Sequence, residues 1–192
     1  ECKQKSFEFH AHFSREVIGR FDGGTITSDG GALLLREVEG KTGIIRQFLQ
    51  DVDWRGTQYL ILDLPPGTGD AQLTLAQSCP LDGAIVVTTP SDLALIDAAR
   101  GLQMFRTLNV DVLGIVENMS YFESPETGKP LAIFGTGGGR RLADELQVPL
   151  LGEVPLHPPV LEGADRGSPI VVSEPDCSAA RKLTAVAMEI VK

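Results

Sequence analysis

The chain has 192 residues, of which 42% are apolar and 22% are charged, a balance typical of a globular protein with a hydrophobic core. This composition excludes an intrinsically disordered chain and a collagen-like repeat. The seven Lys/Arg and seven Asp/Glu of residues 1–50 cancel, so residues 51–192 carry the whole formal charge of −9. Because that part would repel a phosphate backbone, we expect no nucleic-acid partner for residues 51–192.

Membrane signals and cysteine motifs are both missing from the sequence. No run approaches the roughly 18 uninterrupted apolar residues of a membrane span, and the first residues do not form the apolar core of a signal peptide. We therefore expect a cytoplasmic protein with no membrane partner. Cys2, Cys79 and Cys177 are far apart and form no C-x-x-C motif, and we interpret Cys79 and Cys177 as buried apolar residues.

Residues 1–50 differ in texture from the rest of the chain. They are polar, with two Asp-Gly-Gly turns, and an amphipathic helix is predicted over 32–39 and again over 44–49. We place a boundary between residues 43 and 51, which gives an N-terminal fragment of residues 1–50 and a larger domain of residues 51–192.

From residue 51 onward, apolar runs alternate with helical patterns, which predicts a doubly wound α/β fold with a parallel sheet. The runs lack polar–apolar alternation, as expected for strands that helices cover on both faces. Predicted strands lie at 59–62, 83–87, 112–116 and 150–154, and predicted helices lie at 71–78, 93–107, 138–146, 158–165 and 177–191.

The first predicted strand of this domain ends in Asp63, which a glycine-rich turn follows. Ligands of such sheets bind at the carboxyl ends of the strands. In a nucleotide site, a carboxylate in this position holds Mg²⁺ through water, and backbone N–H groups of the turn meet the γ-phosphate. The candidates are Asp63, Gly67, Gly69 and Asp70. The alternative is a plain strand-to-turn junction in which Asp70 caps the next helix.

Two further features follow in chain order. Asn118 follows the predicted strand over 112–116, and its side-chain amide offers a hydrogen-bond donor and an acceptor at the carboxyl end of that strand. A strand-terminating asparagine in a turn explains the same residue equally well. The loop Gly135-Thr-Gly-Gly-Gly139 is predicted to open a helix, where it either receives an anion or serves as a flexible connector.

A phosphate loop that could accompany Asp63 does not occur within the 192 residues. There is no G-x-x-x-x-G-K-[ST] motif, and Gly40-Lys41-Thr42 matches only its tail because position 35 is a leucine. We interpret Gly40 as the residue that ends a helix and Lys41 as a cation near its negative end. The nucleotide site that these residues alone could form is therefore incomplete.

Five motifs in order give residues 51–192 a family resemblance. They are Asp63-Leu-Pro-Pro-Gly-Thr-Gly-Asp70, Thr88-Thr-Pro-Ser-Asp92, Val116-Glu-Asn-Met-Ser-Tyr-Phe122, Ile133-Phe-Gly-Thr-Gly-Gly-Gly139 and Leu151-Gly-Glu-Val-Pro-Leu156. This part resembles the C-terminal part of the Mrp/ApbC-type iron–sulfur cluster carriers, deviant P-loop ATPases related to MinD and ParA. The resemblance implies a truncated sheet of the P-loop NTPase type that lacks the phosphate-loop strand.

The resemblance also implies cofactors, partners and roles. ATP, Mg²⁺ and an iron–sulfur cluster are the family's cofactors, and its partners are iron–sulfur assembly proteins, apo-protein targets and a second copy in a homodimer. Asp63 is implied to face the metal and, with Asp70, to serve catalysis. Gly67 and Gly69 are implied to meet the phosphates, and Asn118 is implied to contact the adenine edge.

The chain departs from the family at its metal motif. Ser124 and Thr127 stand where the family has the two cysteines of C-x-x-C. Since iron–sulfur clusters require thiolates and hydroxyls are poor ligands for them, we expect cluster binding through this site to be impaired.

Residues 14–49 are similar to a different family, the N-terminus of a DDE-type insertion-sequence transposase, especially through Gly19-Arg-Phe-Asp-Gly-Gly-Thr-Ile-Thr-Ser-Asp-Gly-Gly-Ala-Leu-Leu-Leu-Arg-Glu-Val-Glu39. That part stops before any catalytic aspartate of such an enzyme, and we interpret the chain as a chimera. The carrier resemblance implies an ATP-binding iron–sulfur carrier by descent, with activity impaired by the absence of the phosphate loop and the C-x-x-C pair, and it leaves open whether the chain is an enzyme. The alternatives are a non-catalytic dimerisation or interaction module and an inactive transposase-fusion remnant.

Overall fold

The computed structural model describes residues 6–12, 15–20, 53–64, 73, 75–77 and 80–191. The chain divides into two compact units, Glu1–Ile44 and Ile45–Lys192. In the first unit, β1 (Ser6–His12) and β2 (Arg15–Arg20) form an antiparallel hairpin. The predicted Asp-Gly-Gly turns and the helices over 32–39 and 44–49 lie outside the described residues, and the transposase similarity stays a prediction.

A three-stranded parallel sheet organises the second unit. Its strands β3 (Ala84–Thr88), β4 (Val112–Glu117) and β7 (Leu150–Glu153) lie in the order β3-β4-β7. Ile115 of β4 pairs with Val86 on one side and with Leu150 on the other. Aliphatic, largely β-branched residues favour this pleated, buried arrangement. The predicted parallel α/β fold is therefore confirmed.

Five helices have described bounds, and four of them match the predicted helices to within a residue or two. They are α1 (Asp92–Thr107), α2 (Gly138–Leu146), α3 (Pro158–Asp165), α4 (Ile170–Ser173) and α5 (Ser178–Ile190). The short α4 was not predicted, and residues 73 and 75–77 are helical within the predicted 71–78. Among the described helices, none is long and apolar enough to cross a membrane.

A small hairpin lies between β4 and α2. Its strands β5 (Phe122–Glu123) and β6 (Pro130–Leu131) pair antiparallel, and they have only two residues each. Phe122 also forms a bridge with Leu156, and the backbone N–H of Leu156 donates to the carbonyl of Tyr121 at 2.7 Å. These contacts attach the hairpin to the segment that leads from β7 into α3.

The core has two layers, one on each face of β4. On one face, Leu102 of α1 and Leu142 of α2 pack against Val86 and Ile115. On the other, Val186 of α5 packs against Val116 and Val154. Helices therefore cover β4 on both faces, as predicted.

The prediction of complete coverage is wrong for β3. Its residues alternate between buried and exposed, with Ile85 38% and Val87 61% exposed. The physical reason is the position of α5. This helix packs on β7, at the other end of the sheet, and does not reach over β3. The second face of β3 is an open apolar surface.

The strand predicted over 59–62 is also wrong. Residues 59–64 have irregular backbone, and Ile61 is 88% exposed. A four-residue apolar run becomes a strand only when a neighbour accepts its backbone hydrogen bonds. In the described part of the chain, no strand pairs with this segment.

Candidate functional site

The carboxyl ends of β3 and β4 meet at one edge of the sheet. The backbone N–H of Asn118, directly after β4, donates to the carbonyl of Thr88 at 2.7 Å, and Thr88 is buried. The side chain of Asn118 is half-buried, and its Oδ1 accepts the N–H of Met119 at 2.9 Å. The amide nitrogen of Asn118 has no hydrogen-bond partner within the described residues, so this nitrogen could donate to a ligand at this edge.

Glu117, the last residue of β4, is fully buried. Its carboxyl group accepts one hydrogen bond from the hydroxyl of Ser120 and another from the backbone N–H of Gly139, in the first turn of α2. The end of the central strand is thereby fastened to the start of a helix. Glu117 was not among the residues predicted from the sequence. Its position at the end of an apolar strand, ahead of a glycine-rich loop, is a sequence pattern that could have indicated it.

Gly138 and Gly139, at the start of α2, fit this arrangement because they carry no side chains. A Cβ on Gly139 would lie 2.9 Å from both Cβ and Oε2 of Glu117, and a Cβ on Gly138 would lie 2.6 Å from the carbonyl oxygen of Pro90. The loop does open a helix, as predicted. At that helix N-terminus, the N–H of Gly139 donates to the chain's own Glu117 carboxyl.

An open cleft of about 420 Å³ lies beside this junction. Its walls come from the segment after β4, the β5–β6 hairpin, the loop before α2 and the end of β7, and they comprise Ser120, Tyr121, Glu123, Pro130, Thr136, Gly137 and Glu153. The charged residues of this lining are both acidic. The cleft therefore suits a cation or a neutral polar ligand better than a phosphate.

Tyr121 in the cleft wall has a raised pKa, above the ordinary value of 10.0. Burial is the main cause, and the negative charges of Glu123 and Glu153 add to it. We predict that a Tyr59→Phe variant, which leaves Tyr121 as the sole tyrosine, shows a tyrosinate absorbance titration whose midpoint lies above pH 10.0, and that Glu153→Gln lowers this pKa.

The sign for stability follows from the same shift. The unfolded chain releases the tyrosine proton at a lower pH than the folded chain, so the free energy of unfolding falls as the pH rises above about 10. An absorbance titration that gave a pKa at or below 10.0 for Tyr121 would contradict the prediction.

The structure does not bring Asp63 and Asn118 together. Asp63 is exposed, and the next residue, Leu64, packs against the cluster of Ala84, Phe105 and Val110. Ala84 begins β3, whereas Asn118 follows the opposite end of β4. The other predicted site residues, Gly67, Gly69 and Asp70, lie outside the described residues.

Ser124 and Thr127 lie in the turn of the β5–β6 hairpin. The N–H of Ser124 donates to the carbonyl of Lys129 at 3.0 Å, and the hydroxyl of Thr127 accepts the N–H of Lys129 at 3.3 Å. The two positions therefore close a tight turn, and they supply hydroxyl groups where the resembling family supplies thiols.

Comparison with known families decides the lineage. The family described as "ParA: NUBPL iron-transfer P-loop NTPase" matches residues 23–191. The chain belongs to the NUBPL-type P-loop NTPase family. Its relatives in this family include proteins named as iron–sulfur cluster carriers, and the predicted resemblance to such carriers is confirmed.

Two curated relatives illustrate the match. An iron–sulfur cluster carrier protein of Synechocystis is 57% identical over 149 residues, which are 77% of this chain and 42% of that protein. The iron–sulfur cluster transfer protein NUBPL of the mouse is 46% identical over 148 residues, which are 77% of this chain and 46% of that protein. The chain thus spans less than half the length of these NUBPL-type relatives.

Solved structures agree with the fold. A nucleotide-binding protein of Archaeoglobus fulgidus in complex with ADP has a TM-score of 0.63 and 37% identity, covering 75% of this chain and 58% of that one. MinD of Pyrococcus horikoshii in complex with Mg-ADP has a TM-score of 0.58 and 21% identity, covering 77% of this chain and 56% of that one. The second likeness shows the fold alone, which is that of the MinD/ParA-like NTPases.

Proposed function

We propose that residues 51–192 are the C-terminal part of a nucleotide-dependent iron–sulfur cluster carrier. The observation that carries the nucleotide part is the likeness to the A. fulgidus protein in complex with ADP, at 37% identity over 75% of the chain. The edge formed by Thr88 and Asn118 supports it, since such edges bind ligands in open parallel sheets. In this proposal, the amide of Asn118 contacts the adenine edge.

The phosphate side of the proposed site falls to Asp63 and the turn that follows it. Asp63 would hold Mg²⁺ through water, Gly67 and Gly69 would donate backbone N–H groups to the phosphates, and Asp70 would assist catalysis. Leu64 packs at the start of β3, which is the opposite end of that strand from the carboxyl edge. The proposed role therefore requires that residues 59–63 pair as a strand with a neighbouring strand and so bring Asp63 to the carboxyl edge. The apolar side chains of residues 59–61 are exposed, and such pairing would give them a neighbour to pack against.

The cargo part of the proposal rests on the family. The cluster is the substrate of such a carrier, iron–sulfur assembly proteins and apo-proteins are its partners, and a homodimer working in the cytoplasm is the form that we propose. The hydroxyls of Ser124 and Thr127 are poor ligands for iron, so we propose that this polypeptide holds a bridging cluster weakly.

The first expected result concerns nucleotide affinity. The 192 residues contain no G-x-x-x-x-G-K-[ST] motif. The polypeptide alone therefore lacks the phosphate-loop lysine and the loop N–H groups that neutralise the β- and γ-phosphates in such sites. In calorimetric titration with Mg-ATP, we expect a Kd weaker than about 1 mM. Micromolar affinity of this polypeptide would contradict the proposal.

An engineered chimera supplies the matched control for this titration. In it, residues 1–50 are replaced by the region of the Synechocystis relative that precedes the part shared with this chain, over which the two are 57% identical. We expect this chimera to bind Mg-ATP in the micromolar range, and Asp63→Asn in it to weaken binding in Mg²⁺ by about 10-fold or more, as loss of a metal-orienting group does. Equal affinity of the chimera and its Asp63→Asn variant would remove Asp63 from the site.

A further inference from the structure

Three side chains of different chemistry meet where α3 and α5 begin and α4 ends. His157 precedes α3, Glu174 follows α4, and Cys177 precedes α5, and one ligand atom from each lies within 4.8 Å of the others. The neighbouring Ser178 donates to the carboxyl of Glu123 at 3.0 Å, which connects this cluster to the β5–β6 hairpin. An imidazole, a carboxylate and a thiol form a donor set that suits borderline-soft transition metals.

His157 provides a second, independent observation. Its Nε2 atom is buried and has no hydrogen-bond partner among the described residues. A buried polar atom without a partner costs about 1–3 kcal/mol, so native structures seldom leave one in place without a purpose. His157 also makes no side-chain bond as the N-cap of α3. A metal ion bound at Nε2 would satisfy this atom.

Cys177 is a free, half-buried thiol that caps α5. Its sulfur accepts the backbone N–H of Ala180 at 3.3 Å, and its own N–H donates to the carbonyl of Glu174 at 3.1 Å. The interpretation of Cys177 as a buried apolar residue is therefore wrong, because its sulfur makes a polar contact at a helix end. That end of a helix stabilises negative charge, which a metal-bound thiolate carries.

We propose that His157, Glu174 and Cys177 bind one divalent transition-metal ion of the Zn²⁺ type. Zinc bonds of about 2.0–2.3 Å in a tetrahedron separate the ligand atoms by about 3.3–3.8 Å. Since the three atoms lie within 4.8 Å of one another, they need to approach by at most about 1.5 Å on binding. Glu174 is exposed and free to make this adjustment. One thiolate and one carboxylate neutralise the ion, and three protein ligands leave a fourth position for water or an exogenous ligand.

Cobalt(II) is the probe for this site, because its spectrum reports a thiolate ligand. On titration of the reduced, full 192-residue chain, we expect one equivalent to give thiolate-to-cobalt charge-transfer absorption and tetrahedral d–d bands, which Zn²⁺ abolishes by competition. Cys177→Ser should remove the charge-transfer absorption and lower affinity more than about 100-fold, since even groups outside the ligand shell contribute about 10–100-fold. Serine is a good N-cap, so α5 should remain folded.

The control variant is Cys79→Ser, which removes another thiol and should leave the cobalt spectrum unchanged. His157→Ala and Glu174→Gln should each weaken Zn²⁺ binding at least about 10-fold while far-ultraviolet circular dichroism stays the same. Charge-transfer absorption that survives Cys177→Ser, or a chain that binds no cobalt, would overturn the proposal. The metal-site proposal does not depend on the proposed carrier function. Accordingly, Cys177→Ser in the engineered chimera should leave its Mg-ATP affinity unaltered, so the two proposals can fail separately.

Discussion

Glu117→Ala is expected to lower the free energy of unfolding of the sheet-containing unit by about 3–5 kcal/mol. The substitution removes the group that accepts the N–H of Gly139 and the hydroxyl of Ser120 at a fully buried position. A buried donor left without an acceptor costs about 1–3 kcal/mol, and the space vacated by the side chain adds a cavity cost of similar size. Urea denaturation followed by circular dichroism measures the loss as a lower midpoint with an unchanged slope.

Glu117→Gln is the matched control for this prediction. Its amide oxygen can still accept the N–H of Gly139, and its amide nitrogen can donate to the hydroxyl oxygen of Ser120. Gly139 keeps its acceptor and no cavity forms, but the Ser120 hydroxyl hydrogen loses its acceptor, so we expect a smaller loss of about 1–2 kcal/mol. Equal losses for the two variants would show that hydrogen bonding at the end of β4 does not stabilise this junction.

Leu102→Ala is expected to cost about 2–5 kcal/mol, the range for a buried leucine truncated to alanine. Leu102 is 0% exposed and belongs to the cluster that joins α1 to Val86 and Ile115 of the sheet. The surrounding side chains belong to two strands and two helices, so they cannot close the cavity without moving whole elements. The same denaturation experiment gives the magnitude.

Leu93→Ala separates packing from helix propensity. Leu93 lies in the same helix, α1, but is 75% exposed, and the change from leucine to alanine is the same. We expect an effect within about 0.5 kcal/mol, as for most surface substitutions. If Leu102→Ala were as mild as Leu93→Ala, the layer between α1 and the sheet would not be a packed core.

Local signals in the sequence predicted the helices and the inner strands well. The helix over 138–146 has the bounds that the glycine loop and the apolar spacing indicated, and Pro158 marks the start of the helix over 158–165. The central strand predicted over 112–116 is observed as Val112–Glu117, and its last four residues are buried, as expected where helices cover both faces. In these segments the information lies within a few residues of the element itself.

Other features depend on contacts between distant residues. The apolar run over 59–62 reads as a strand, but a strand also needs a partner, which no local pattern supplies. Glu117 reaches Gly139 across 22 residues, and His157 meets Cys177 across two intervening helices. The two-residue strands β5 and β6 are too short for any alternation to appear. Roles for Asp63 and Asn118 came from family resemblance and stay proposals.

The close approach of Gly139 to Glu117 has a consequence for how this sequence can diverge. Any side chain at position 139 would enter the volume that the Glu117 carboxyl occupies. A side chain at position 139 is therefore tolerated only with a shorter residue at position 117, so the two should co-vary across homologues. Sequence drift in the glycine loop is limited by a strand that lies far from it in the chain.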